Sequence, residues 1–207
     1  MTRKPQQSRS RATVDAIIQA GFLVVAREGL EGTTTRHIAD AAGISVGSLY
    51  EYFANKEAIY DAMYEHIVRD IVGTIRPLIP KLVTMGERDA VVELLYQFRQ
   101  LLMRDQGRYL HYASYAMHLA QREHLEPLKR MLHDLLTQYA MHHPRVLKIQ
   151  SIPAMGYIII NGGIFAVIRH LSEPAPVINF ETLVKGLGDM VHYCIEGALE
   201  EAGSGTD

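Results

Sequence analysis

With 207 residues, 48% of them hydrophobic and 21% charged, the chain is long enough to bury a core and too apolar for wholesale disorder. A single cysteine, Cys194, excludes a disulfide framework and any cysteine-based zinc cage, and fits a reducing compartment. The opening MTRKPQQSRSR is polar and holds no apolar stretch of the kind an export signal needs, so a cytoplasmic location is expected.

Charge is unevenly spread. Arg3, Lys4, Arg9 and Arg11 stand without an acid among the first eleven residues. Through residue 56 there are seven basic and five acidic side chains, and from residue 57 onward fourteen and eighteen. A basic front on an acidic body fits a polyanion gripped at one end, and fits a solvated tail as well; charge alone does not decide. No proline falls between Gln6 and Arg76, whereas Pro77, Pro80, Pro127, Pro144, Pro153, Pro174 and Pro176 punctuate the remainder. Because proline starts or stops helices, the chain divides into a basic disordered arm (1–9), a front domain of short helices (10–55) and a larger helical body (56–207).

In the front domain, Val14, Ile17, Gly21, Val24 and Val25 recur at three- and four-residue spacing and predict a helix over about 10–28. Gly29 is its expected stop. Thr34 then offers a hydroxyl cap for a second helix, 35–42, buried through Ile38 and Ala41 and ended by Gly43. Ser45 caps a third, 46–52, which buries Leu49 and Phe53. Asn55 caps a fourth that opens with Lys56 and Glu57, the acid suiting the positive end of the helix dipole. Two short helices joined by Gly43-Ile44-Ser45 have the layout of a helix-turn-helix, over about 34–53. The turn Ser45-Val46-Gly47-Ser48 is small and polar enough for a major groove about 12 Å wide, although any small helical hairpin shares that spacing.

The run TTRHIADAAGISVGSLYEYFANKE, from Thr34 to Glu57, resembles the signature of the TetR (tetracycline-repressor) family, and Ile17-Ile18-Gln19-Ala20-Gly21 with Arg27-Glu28-Gly29 resembles that family's first helix. The likeness covers about 10–65. It implies an all-α regulator in which Thr35 and Arg36 meet phosphate or a base edge, and Ser45, Val46, Gly47 and Ser48 face the bases. Tyr50, Tyr52 and Lys56 would hold phosphates. Tyr50 is equally placed to pack the small core.

The body reads as long helices. Ile59, Met63, Ile67, Ile71 and Ile75 predict a fourth helix running to Arg76, and further helices are expected at about 88–104, 106–122, 127–143, 152–171 and 180–200, with Ser151 and Asn179 as candidate caps. From Ile149 to Ile168 there is no charge, yet Gln150, Pro153, Asn161 and three glycines argue against a membrane span. A hairpin at Asn161-Gly162 lacks alternating flanks. A third reading is a helix apolar all round, buried against a second copy, and the resemblance favours it, since it implies that the family's dimer-forming helices lie here. The dimer helices are accordingly 152–171 and 180–200, with Gly156, Ile160, Gly163, Gly188 and Cys194 at the interface. Nine of the ten histidines follow residue 57 without any metal or hydrolase motif, so no enzyme, metal or cofactor is expected. Tyrosines and methionines crowd the middle, and Met103, Tyr112, Tyr115, His118 and Tyr139 are candidates to line a pocket for an aromatic or lipophilic effector. The function expected is a cytoplasmic homodimeric regulator, most simply a repressor on a pseudo-palindromic double-stranded operator. The competing reading is a helical ligand-binding or enzymatic protein whose front domain does not read DNA.

Overall fold

A computed structural model describes residues 4–116 and 126–204, and every regular element among them is a helix. The first, α1 (Lys4–Gly32), starts well before Ser10, so residues 4–9 of the expected arm continue the helix. Its regular geometry breaks where expected, at Gly29, whose φ of 71° lies in the left-handed region. Thr33 closes the turn by donating to the Gly29 carbonyl at 2.6 Å.

α2 (Thr35–Ala42) is capped by Thr34, whose hydroxyl accepts the His37 N–H at 3.2 Å, and ends in left-handed Gly43. It buries Ile38 and Ala39; the expected Ala41 is exposed, because only one narrow stripe of so short a helix meets α1. α3 (Val46–Tyr50) stops short of Tyr52, although the Tyr52 and Phe53 N–H groups both still reach the Leu49 carbonyl at 3.0 Å. α4 (Lys56–Ile75) is capped by Asn55, which accepts the Ala58 N–H at 2.8 Å, and it buries Ile59, Met63, Ile67 and Ile75 as the four-residue spacing requires.

Two compact units result, divided differently from the sequence expectation. The first takes residues up to Asp70 together with the segment from Met103 to Glu126; the second takes Ile71–Leu102 and Pro127 onward. The front domain therefore does not end at 55. The first fifteen residues of α4 and all of α7 (Arg104–Ala116) belong with α1, because Phe22 of α1 is fully buried among the rings of His66, Tyr109 and Tyr112 at 6.0, 5.0 and 5.6 Å. α7 opens with three left-handed residues, Asp105, Gln106 and Gly107, at φ 50°, 63° and 75°.

In the second unit Pro77 and Pro80 sit at helix starts, giving a 3-10 turn (Arg76–Leu78) and the short α5 (Ile79–Leu82). α6 (Glu87–Leu102), α8 (Glu126–His142), α9 (Ile152–Ser172) and α10 (Phe180–Ser204) follow the expected spans within a few residues. Asn179 caps α10 through the Thr182 N–H at 2.8 Å. Ser151 occupies the cap position of α9 without capping it, since its hydroxyl turns to Met155 Sδ at 3.2 Å. Ile75, Ile79, Leu82, Val83, Ala90, Met131 and Leu135 form one core, and Val146, Ile149, Val191 and Ile195 a second. Two glycines assigned to a subunit interface face inward instead. A Cβ at Gly188 would lie 3.2 Å from the Arg88 carbonyl oxygen of α6, and one at Gly156 would lie 3.5 Å from Leu136 of α8.

Candidate nucleic-acid interface

The reading face is built on two caps. Ser45 accepts the Ser48 N–H at 3.0 Å and donates its own proton to the Ser48 hydroxyl, also at 3.0 Å. The two hydroxyls thereby hold each other at the start of α3, where a recognition helix presents its first residues. Between them Gly47 is exposed, and a Cβ there would meet only Ser45 Oγ, at 3.8 Å. The chain's own packing does not require glycine at 47; its absent side chain leaves room for the floor of a groove. Val46 and Ser48 are half-buried beside it.

The surrounding groups divide into free and tethered ones. Arg36 and His37 stand exposed in the first turn of α2. Tyr50 is 51% exposed, with its hydroxyl 3.2 Å from Thr35 Oγ1, so these two side chains form a pair and Tyr50 does not pack the core. Tyr52 is half-buried. Lys56 is held inward: its Nζ donates to the Thr33 carbonyl at 3.2 Å and lies 5.6 Å above the Tyr60 ring. Tyr60 in turn donates to the Leu30 carbonyl at 2.9 Å. The first turn of α4 is thus laced to the link between α1 and α2. Sequence reading missed this lacing, because Thr33 and Tyr60 show no periodicity beyond that of their own segments.

Residues 17–63 fit the model for bacterial regulatory proteins of the tetR family. The helix-turn-helix region is that of the TetR family. The HTH-type transcriptional regulator BetI of Paraburkholderia phymatum is 28% identical over 134 residues, 62% of this chain and 68% of the relative. The HTH-type transcriptional repressor KstR2 of Mycolicibacterium smegmatis is 43% identical over 68 residues, 33% of this chain and 30% of the relative. The solved fatty acid degradation regulator FadR of Bacillus halodurans shares the fold at a TM-score of 0.70 and 19% identity, over 92% of this chain and 96% of that one. The chain is a DNA-binding transcriptional regulator.

Of the effector candidates, Met103 and Tyr112 belong to the first unit and Tyr139 to the second. Met103 is 46% exposed. Tyr112 is buried in the first unit, where its hydroxyl donates to the Tyr60 carbonyl at 2.7 Å and burial holds its phenol well above the usual range. Tyr139 belongs to the second unit, stacked on His143 at 4.2 Å, with burial and Glu87 pushing its phenol up to about 12. The Tyr115 side chain and His118 lie outside the described residues. Of the residues assigned to a subunit interface, Ile160 is half-buried, Cys194 exposed and Gly163 buried, although nothing lies within 4 Å of where a Cβ of Gly163 would stand.

Among the described residues, Glu87, His192 and Glu196 have donor atoms within 4.8 Å of one another, a spacing a metal would accept. Arg145 already spans both carboxylates, at 2.6 Å from Glu196 and 3.4 Å from Glu87, and His192 Nδ1 lies 2.6 Å from Glu87. The cluster reads as an ion-pair and hydrogen-bond network in which Arg145 bridges the two carboxylates.

Proposed function

We propose that the protein is a homodimeric repressor that holds a pseudo-palindromic operator and is released by a small aromatic or lipophilic effector bound in its helical body. The observation that carries the DNA half is the Ser45–Ser48 turn, with glycine between its hydroxyls and Arg36 and His37 exposed nearby. Twofold symmetry in the protein calls for twofold symmetry in the site. The name of the KstR2 relative, a repressor, supports repression, and the fold likeness to a fatty acid degradation regulator supports a lipophilic effector.

A dimer is supported by the faces that the chain leaves to water. α9 exposes Tyr157 (73%), Ile158 (66%) and Phe165 (49%), and α10 exposes Tyr193 (67%) and Met190 (44%). Apolar exposure on this scale marks an interaction surface. Ile160, Gly163 and Cys194 remain its assigned members, and Met103, Tyr112, Tyr115, His118 and Tyr139 remain effector candidates.

Selection of genomic DNA fragments by the purified protein tests the reading. A recovered site with twofold symmetry supports it, and recovery of no common sequence overturns it. Titrating that site with and without a body-binding compound then tests release. Linkage requires the compound to lower operator affinity by the same factor that operator lowers compound affinity.

A further inference from the structure

Past the break at Gly29, the segment that links α1 to α2 carries backbone carbonyls for which a helix end supplies no partner. Three side chains take them up. The Gly29 carbonyl accepts the Thr33 hydroxyl at 2.6 Å, the Leu30 carbonyl accepts the Tyr60 hydroxyl at 2.9 Å, and the Thr33 carbonyl accepts Lys56 Nζ at 3.2 Å. Lys56 and Tyr60 stand one turn apart on α4, so one face of that helix holds the link at two points. Thr33 is 1% exposed, and its one proton goes to Gly29, so it has none for Leu30. Burial raises the pKa of the Tyr60 phenol more than the Thr33 hydroxyl beside it lowers it, and the group keeps its proton. Leu30 and Thr33 both belong to the link, so the phenol's hold is on the link itself.

What the link carries is the reading face. Thr34, the next residue, accepts the His37 N–H on its hydroxyl at 3.2 Å and the Ile38 N–H on its carbonyl at 3.1 Å, which starts α2. Exposed Arg36 stands in the turn so capped. Ile38 and Ala39 anchor the middle of α2, and the link sets where its first turn points. α4 is itself fixed at this level, since the Tyr60 carbonyl accepts the Tyr112 hydroxyl of α7 at 2.7 Å and the two rings lie 6.2 Å apart. Tyr60 therefore joins three helices: its ring packs on α7, its hydroxyl holds the end of α1, and the start of α2 follows from there. Arg36 and Lys56 come from different helices and can grip one duplex together only at a set separation.

We propose that Tyr60 is a positioning residue for operator binding: its hydroxyl fixes the α1–α2 link against α4, and with it the separation at which Arg36 and Lys56 meet DNA. The proposal rests on the DNA-reading function. Without the hydroxyl the first turn of α2 samples more orientations, and binding has to restore one of them, which lowers affinity. The phenol carries no charge and spends its proton on a carbonyl, yet its loss should act on the charged contacts that the turn presents.

The experiment measures affinity by fluorescence anisotropy over a range of salt, on a DNA fragment selected by the wild-type protein. Tyr60→Phe keeps the ring under Lys56 and removes only the hydroxyl. It should bind about 3- to 10-fold more weakly, the span of one hydrogen bond. Its salt slope should fall by about 1, although no charge has changed. In an Arg36→Ala background the same substitution should weaken binding little further, since the contact it positions is gone. Ile59→Val, next to Tyr60 in α4 and fully buried, should lower the unfolding temperature and leave the salt slope alone. Equal losses from Tyr60→Phe in both backgrounds, an unchanged slope, or a slope lowered alike by Ile59→Val each overturns the proposal, as does an Arg36→Ala variant that binds like wild type. If Tyr60→Phe does not fold, Thr33→Val, which frees the link from Gly29, is measured in the same way and decides. Failure of wild type to select any fragment refutes DNA reading itself and takes the proposal with it, whereas selection with additive variants refutes only the positioning.

Discussion

Lys56 illustrates how one side chain serves both the fold and the site. Its ammonium donates to the Thr33 carbonyl and covers Tyr60, so it fixes the α1–α2 link while keeping a positive charge at the edge of the reading face. Replacing Lys56 with Ala should weaken binding to all DNA sequences alike and lower the salt slope by about 1, as expected for one phosphate contact; an unchanged slope would show that the lysine is structural only. Glu87 makes a second prediction. Its burial raises the carboxyl's pKa, but the hydrogen bond from His192, a backbone N–H and the Arg145 charge together hold it below the usual carboxylate range. A group lowered in the folded state stabilises fully above its unfolded pKa, near 4.5, and that contribution disappears as pH falls through the lower folded value. Urea midpoints should therefore fall on acidification in wild type and fall less steeply in Glu87→Gln; parallel slopes would remove Glu87 from the account. The DNA-side residues were legible in the sequence because Ser45, Gly47 and Lys56 belong to a contiguous pattern. Glu87, Arg145 and His192 were not, since no local spacing announces side chains that meet across 58 and 105 residues.

At the level of the helices, caps and prolines carried most of the information. Thr34, Ser45, Asn55 and Asn179 each cap the helix assigned to them, because a short acceptor just before an apolar stripe meets an orphan N–H whatever the tertiary context. What periodicity does not report is which neighbour a stripe meets. Phe22 lies beside the predicted stripe of α1 because α7 covers a second side of that helix, and the domain boundary moved for the same reason. Gly188 is the clearest such case. It was read as a contact between subunits, but its missing Cβ is what lets α10 approach the backbone of α6. Gly188→Ala should force the pair apart and destabilise by about 1–3 kcal/mol. Gly73→Ala in α4, where nothing lies within 4 Å, should instead stabilise by about 0.5–1 kcal/mol through helix propensity. Thermal unfolding of both variants gives the comparison, and equal effects of the same sign would contradict the close approach.

For the molecule as a whole, the question is what covers α9. By length and composition this helix would pass for a membrane span, yet most of its apolar length is left unburied. Tyr157, Ile158 and Phe165 face water, as do Met190 and Tyr193 of α10, in a chain whose front end is built to read DNA. A second copy would supply the apolar partner and, at the same time, a second recognition helix, which would have to meet a half-site about 34 Å away along the duplex. Assembly and operator affinity are then linked, since a monomer keeps its phosphate contacts but engages only one half-site and loses the gain from binding both. Ile158 is the position to test, because it is 66% exposed and a substitution there acts on the partner surface rather than on the fold. Ile158→Glu places a charge on that surface, and burying an unpaired carboxylate there is strongly unfavourable. Sedimentation should show wild type as a dimer and the variant as a monomer with unchanged helical content. On the full operator the variant should bind far more weakly than wild type, while the two should differ little on a single half-site. A wild-type monomer at micromolar concentration, or a dimeric variant with full operator affinity, would remove α9 from the interface.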